Sequence, residues 1–335
     1  MKKQIVTLLM IFIFIPALLS AAAEKLPYDI KIGAGLLHGD TTYQIGGNTV
    51  SSDGSRETIH FPLSELEFPI NSYMLSISGT IEFSQQLTGT LGIKKTIADD
   101  SDKLKDSDWG VWHIGGELPH DSSTCPPTLC TADSLDIYSE SDATLDALIF
   151  DINLRYTFLD RTFKKSSFGL FAGAGYRYEY FDYKVSDLDQ WYPSFEGYFG
   201  FDYGHEYESS TVLTYDVHYN IAYMEAGASI LLFNSIEIDG SIGFSPLVYV
   251  KDRDNHLLRD KISRGELYGH AMLYSLNLKG NIRGNWFTTI RVNYTSIDTE
   301  GEQKQYISNF LFATIDEEVT SHQTSAFFNI GYSFN

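Results

Sequence analysis

Apolar residues alternate with small or polar ones almost to the end of the chain, from Ser325 to Phe334. Successive side chains of a β-strand point to opposite faces, so this alternation predicts a strand with one apolar face. That face carries Ala326, Phe328, Ile330, Tyr332 and Phe334. An apolar face that ends in aromatic residues is typical of the closing strand of an outer-membrane β-barrel.

Six further segments alternate in the same way, and their apolar positions run over residues 148–158, 170–180, 213–223, 236–244, 272–278 and 286–294. Tyrosines gather toward the ends of these segments, as the interfacial girdle of a membrane barrel requires. The positions between the apolar ones are predicted to face the lumen. They include ionisable residues that would plug a channel by pairing with one another: Arg155, Arg177, Glu179, Asp216, His218, Glu237, Asp239 and Arg291.

Three earlier candidates bring the total to ten strands, an even number that closes a bacterial barrel. The predicted strands are 28–44, 58–83, 87–97, 143–159, 167–184, 208–232, 235–251, 265–280, 285–299 and 318–334. The strand over 58–83 is irregular, with a change of register near Ser64. The connections alternate between short turns and long polar loops at 45–57, 98–142, 185–207, 252–264 and 300–317. The sequence therefore predicts an all-β fold, a ten-stranded antiparallel transmembrane barrel with long extracellular loops.

The start of the chain carries an export signal. Lys2 and Lys3 precede an apolar run, and small residues follow it up to Ala23. The run is too short for a membrane-spanning helix, so the pattern predicts a signal peptide over residues 1–23. Residues 24–335 are expected to form a single barrel domain in the bacterial outer membrane, surrounded by lipid and monomeric.

Composition narrows the choice of partner. The chain is 14% aromatic and contains 27 glycines, which favours one large β structure over two soluble domains. Its formal net charge is −20. A strongly acidic protein is a poor partner for nucleic acid, whose phosphates need Lys and Arg, but it attracts cationic peptides by electrostatic steering.

The chain has two cysteines, Cys125 and Cys130, in the segment Cys-Pro-Pro-Thr-Leu-Cys. In an exported protein this spacing predicts a local disulfide. A structural zinc site needs four ligands, so the two thiols alone do not predict a metal. No cofactor is expected.

Two of the predicted loops carry a compact group of acids. The second loop has Asp106 and Asp108, and the fourth has Asp254 followed two residues later by His256. Residues two apart in an extended segment point the same way. A carboxylate beside an imidazole prepares it to accept a proton from water, and two close carboxylates raise one another's pKa so that one can hold a proton. Acids in extracellular loops are also commonly solvated or bind calcium loosely, and the residues alone leave both interpretations open.

These two motifs resemble elements of the omptins, a family of outer-membrane aspartyl-type proteases on ten-stranded barrels. Asp106-Ser107-Asp108-Trp109 is similar to the D-x-D-W element of the family, and Asp254-Asn255-His256 to its D-x-H element. Both fall in the loops where the family has them. Weaker similarity extends over most of the chain after residue 23, including the segments 150–154, 169–173 and 215–256.

The resemblance implies roles for six residues. Asp254 and His256 would form the base, and Asp106 and Asp108 would hold the attacking water and stabilise the tetrahedral intermediate. Omptins select a basic residue before the scissile bond with acids at the bottom of a pocket. Asp252 matches one such position, and the other would come from the first loop. There the best candidate is Asp40, whose alternative is a charge on the rim.

The chain departs from the family in two places. The omptins' second loop lacks a cysteine pair. Their lipopolysaccharide site includes a Tyr-x-Glu-x-Arg strand motif, whereas this strand places Arg177 and Glu179 at lumen-facing positions. The family's requirement for lipopolysaccharide is therefore open for this chain.

Three functions remain compatible with these observations. The first is a surface endopeptidase that cleaves cationic peptides or exposed protein loops at basic residues. The second is a catalytically silent barrel of the same fold that acts as an adhesin or receptor. The third is a small porin, which the charged lumen disfavours. Asp216 and His218 repeat the D-x-H spacing, but they lie in mid-strand and are expected to fill the lumen rather than act chemically.

Overall fold

A computed structural model of the chain describes residues 26–100, 102–115, 131–194 and 205–334. Almost all of this is antiparallel sheet. No helix in these ranges is long and apolar enough to span a membrane. The strands are β1 (Tyr28–Ser51), β2 (Arg56–Glu82), β3 (Leu87–Asp99), β4 (Asp102–Trp109), β5 (Leu135–Phe163), β6 (Ser166–Trp191), β7 (Glu206–Leu232), β8 (Ile236–His256), β9 (Lys261–Arg283), β10 (Trp286–Ile307) and β11 (Phe310–Phe334).

The sheet closes into a ring, because β1 pairs with β2 on one side and with β11 on the other. β3 and β4 both pair with β2 and with β5, so they are one barrel strand interrupted after Asp99. The ring therefore has ten strands, which confirms the prediction. Closure leaves no unpaired edge strand among the described residues, as a sheet inside a membrane requires.

Near the short turns, the outer surface of the barrel is an apolar band. The band includes Ile30, Ile32, Ile152, Leu154, Leu276, Leu278, Ile290, Phe328 and Ile330. Tyr28 stacks on Phe334 where the first and last strands meet. The outward face predicted for the last segment is therefore confirmed, and this band is the part of the barrel that crosses the bilayer.

Inside the band, ion pairs between strands fill the lumen. Arg155 Nε lies 2.6 Å from Glu225 Oε1, and Arg155 Nη1 lies 3.3 Å from Asp239 Oδ1. Arg177 Nε lies 2.8 Å from Asp151 Oδ2. A lumen filled in this way does not favour an open channel.

Beyond the band, the two faces of the sheet exchange character. The interior becomes apolar, with buried side chains that include Phe68, Ile70, Phe181, Tyr183, Val217, Tyr219, Val250 and Val319. The outer face carries ion pairs such as Lys105–Glu67 and Lys251–Glu266, both 3.1 Å. The strands here meet water rather than lipid, so the hydrophobic effect favours apolar residues on the inside. We refer to this part as the upper barrel.

The exchange of faces corrects the orientation predicted for β7. Tyr215 and Val217, predicted to face outward, are fully buried in the lumen. Asp216 and His218, predicted to fill the lumen, lie on the outer face, where Asp216 Oδ1 is 3.4 Å from His218 Nε2. The prediction failed because it assigned the apolar face to lipid, and most of this segment lies above the bilayer.

The strands also run well beyond their predicted ends. β1 continues to Ser51, β8 to His256, and β10 and β11 are joined through only Ser308 and Asn309, both with positive φ. Much of the sequence assigned to long connections is therefore sheet. The predicted irregularity near Ser64 is present, because the β1–β2 pairing shifts register just beyond that residue. The predicted signal peptide and both cysteines lie outside the described residues.

Candidate active site

The upper end of β8 carries Asp254 and His256 on one face. Their pairing partners on β7 are Tyr215 and Leu213, which are buried in the lumen, so both residues face inward. Asp254 is 2% exposed, and its Oδ2 lies 2.7 Å from His256 Nε2. The two atoms are within hydrogen-bonding distance, although the ring N–H is not aligned on the oxygen. Because side chains two apart on a strand share a face, the buried Asp254 carboxylate lies beside the His256 imidazole, as the D-x-H spacing predicts.

The second pair stands on β4, which is strand rather than loop. Asp106 and Asp108 share the face of Leu104, which is 3% exposed. The residues between them point the other way: Lys103 and Lys105 form ion pairs with Asp142 and Glu67 on the outer surface. Alternation therefore sends the acids into the lumen and the lysines to water.

The two pairs face one another across the upper lumen, since β4 lies between β2 and β5 while β8 lies between β7 and β9. Burial, and then the charges of Asp108 and Asp254, raise the pKa of Asp106 well above its ordinary value. Asp106 Oδ1 has no hydrogen-bond partner among the described residues. Burial and the neighbouring acids therefore favour the protonated form of the Asp106 carboxyl.

Two cations near these acids were missed in the sequence. Lys261 is the pairing partner of His256 at the start of β9, and Arg259 lies in the 3-10 turn between them. Both act electrostatically on Asp106. Burial lowers the pKa of Lys261, and the charge of Asp254 opposes that shift. A tight turn after His256 would have placed Lys261 beside it, but the sequence predicted a long loop there.

Asp252 lies one step deeper in the lumen and is 5% exposed. Its Oδ1 accepts the Gly265 N–H at 2.8 Å, and its Oδ2 accepts the Tyr215 hydroxyl at 3.1 Å. Burial raises the pKa of Asp252 to about 6, while hydrogen bonding with Glu317, Gly265 and Tyr215 opposes the shift. The acid that the sequence assigned to the pocket is therefore below the Asp–His pair.

Asp40 does not lie beside Asp252. It occupies the outward register of β1, opposite the exposed His322 on β11, whereas the neighbouring lumen-facing position is Thr41, which is fully buried. The assignment of Asp40 to the pocket is therefore wrong. The carboxyl that accompanies Asp252 belongs to Glu317 on β11, which is 1% exposed.

The fold and the cleft together define an outer-membrane β-barrel whose upper lumen carries an Asp–His pair opposite two acids. Comparison with known proteins agrees. The crystal structure of the outer membrane protease OmpT from Escherichia coli has the same fold, with a TM-score of 0.68 over 92% of this chain and 97% of its own at 15% identity. The outer membrane protein OprG from Pseudomonas aeruginosa aligns over 92% of this chain and 96% of its own, at 12% identity and a TM-score of only 0.39.

The family is shown by the sequence. The model of the omptin family matches residues 30–298, which is most of the chain. No curated protein matches it in sequence. The chain belongs to the omptin family, and it is a bacterial outer-membrane protein of the protease kind.

Proposed function

We propose that this protein is a surface endopeptidase that cleaves polypeptides at basic residues. One observation carries the proposal: the Asp254–His256 pair and the acids Asp106 and Asp108 stand on opposite walls of one cleft, close enough that Asp254 acts on the pKa of Asp106. A water held between these walls has a proton acceptor on one side and a protonated carboxyl on the other.

In this mechanism His256 takes a proton from the water, whose oxygen attacks the carbonyl carbon of the scissile peptide bond. The Asp254 carboxylate stabilises the imidazolium that forms. Asp106 and Asp108 hold the water and donate a hydrogen bond to the oxygen that becomes negative in the tetrahedral intermediate. His256 then returns its proton to the leaving nitrogen as the C–N bond breaks.

The substrate follows from charge. A net charge of −20 draws cationic chains toward the barrel. Asp252, buried below the catalytic pair, provides a negative partner for a lysine or arginine side chain that reaches down from the cleft. Cationic peptides and exposed protein loops are therefore the proposed substrates, and the protein acts as a monomer.

If this protein binds lipopolysaccharide, its contacts must differ from those that the Tyr-x-Glu-x-Arg strand motif makes in the family. Glu179 is fully buried in the lumen and accepts a hydrogen bond from Gln323, and Arg177 pairs with Asp151 there. Neither side chain reaches lipid. We propose that these two residues take no part in binding it.

The proposed function is tested with refolded protein and a quenched fluorescent peptide that contains an Arg-Arg pair. We expect cleavage next to an arginine, located by mass spectrometry of the products. A barrel that shows the heat-modifiable gel mobility of a folded protein and still leaves the peptide intact would contradict the proposal.

The mechanism predicts a distinctive inhibitor profile. The proposed nucleophile is a water activated by His256, so serine-directed and thiol-directed reagents are expected to leave turnover unchanged, and chelators likewise. The measurement is the rate on the Arg-Arg peptide before and after each reagent. Loss of activity in a chelator followed by recovery with zinc would overturn the mechanism.

Activity is also expected to fall as the medium becomes acidic, for two reasons. A protonated His256 accepts no proton from water. Asp252, whose pKa burial raises to about 6, is charged above that pH and neutral below it, so its attraction for a basic side chain is lost on acidification. The check is kcat/KM against pH for an arginine peptide and for its citrulline analogue, since cleavage of the neutral analogue does not depend on the charge of Asp252. Identical profiles for the two peptides would contradict the role of Asp252.

A further inference from the structure

Glu317 and Asp252 approach one another over the backbone of Gly265. A Cβ on that glycine would lie 1.9 Å from Glu317 Oε2 and 2.6 Å from Asp252 Oδ1. Only a glycine leaves room for two carboxyl groups at this point of β9. The pair joins β8 to β11 past β9 and β10, the two strands between them, and it lies above the membrane-crossing band.

The polar partners of the pair in the described chain are neutral. Gln303 Nε2 donates to Glu317 Oε1 at 2.8 Å, while Gly265 and Tyr215 donate to Asp252. Glu317 Oε2 receives no hydrogen bond from any of them and is turned toward the Asp252 carboxyl. Two oxygens that both accept can share such a position only if one of them carries a proton.

The other ionisable groups that face the pair do not supply a positive charge. Asp254 lies above it on β8, Tyr43 approaches from β1, and Tyr215 from β7. Burial, and then the charge of Asp252, raise the pKa of Glu317 well above its ordinary value. Two buried anions without a cation would be costly, so the shared proton substitutes for a missing positive charge.

We propose that Glu317 and Asp252 together bind the positively charged side chain of the substrate, and that this cation replaces the proton they share. The inference rests on the proposed function, because it concerns the same cleft. When the cation enters, both carboxyls ionise and one proton passes to the solvent. A guanidinium fits best, since its planar fork can donate to two carboxylates at once. Glu317 thereby takes the role that the sequence had assigned to Asp40.

If Glu317 and Asp252 only stabilise the barrel, different results are expected. A shared proton that only completes the packing of the upper barrel would leave substrate choice unaffected when Glu317 is replaced by its neutral isostere. The inference requires that replacement to weaken discrimination between charged and neutral side chains.

The first test compares Glu317→Gln with Glu318→Gln, its neighbour on the outer face of the same strand. Each variant is assayed on an arginine peptide and its citrulline analogue, after heat-modifiable gel mobility has shown a folded barrel. For Glu317→Gln we expect the ratio of kcat/KM values to fall at least about 10-fold, in line with the loss of one charged partner. Glu318→Gln is expected to retain the wild-type ratio. An unchanged ratio in Glu317→Gln would overturn the inference while leaving the endopeptidase proposal intact.

The second test needs no variant and no turnover. Arginine amide is titrated into the wild-type barrel by calorimetry at neutral pH, in two buffers of different ionisation enthalpy. The difference between the two heats reports protons released on binding, and we expect about one per site. Binding without proton release, or the absence of binding, would overturn the inference even if Glu317→Gln fails to fold. A wild-type barrel that releases the proton but cleaves no peptide would instead separate the binding site from the proposed catalysis.

Discussion

Alanine in place of Asp106, Asp108, Asp254 or His256 is expected to lower turnover of an arginine peptide by roughly 100-fold or more in each case, in line with the loss of positioned acid–base catalysis. In the proposed mechanism the four side chains act on one water from two walls, so removing either wall should disable the reaction. The effects are expected to be far from additive, because groups that act as a unit are lost together.

The chain contains its own control for this experiment. Asp216 and His218 repeat the Asp-x-His spacing on the outer face of β7, with the same kind of contact at 3.4 Å. Alanine at these positions changes composition in the same way but leaves the cleft intact, and turnover is expected to stay near wild type. Near-normal turnover in folded Asp254→Ala or His256→Ala protein would rule out the assignment of the base.

Replacement of Asp252 by asparagine should cost the enzyme its preference for basic residues. The amide keeps the size of the side chain but removes the charge, and cleavage after arginine is expected to fall on the order of 100-fold, since a polar site rejects a partner that it cannot match. Cleavage of a neutral peptide should change much less. The measurement is kcat/KM on matched arginine and citrulline peptides.

Asp40→Asn is the matched comparison for that variant, because it makes the same change on the outward face of β1. We expect it to keep the wild-type preference. If it loses the preference instead, or if Asp252→Asn retains it in full, the pocket has been assigned to the wrong acid.

Local spacing predicted which of the candidate acids and histidine share a face, because a period of two is a property of each strand by itself. It places Asp106 and Asp108 on one face, and Asp254 and His256 on one face, independently of how the strands pair. The ten-stranded ring followed for the same reason. The failure at β7 had a different origin. Alternation shows which residues share a face, but the side on which that face lies depends on whether lipid or water surrounds the strand.

The residues that the sequence missed are those that depend on pairing between distant strands. Asp40 and Thr41 are adjacent, and a difference of one position decides between the outer surface and the lumen. Glu317 meets Asp252 only through the register of β9 with β8 and of β11 with β10. Lys261 reaches the cleft because the turn before it is short. None of these follows from the residue pattern of a single segment.

The closed ring also decides what form a substrate can take. Each wall of the cleft continues into its neighbours through backbone hydrogen bonds around the ring, so the described strands contain no hinge about which the cleft could open. For the proposed endopeptidase we therefore expect a substrate to enter the cleft as a single extended stretch of chain. Helices and paired strands would have to unfold locally before cleavage. The architecture would then spare well-folded neighbours on the cell surface and expose to cleavage only those proteins whose loops or termini are already loose.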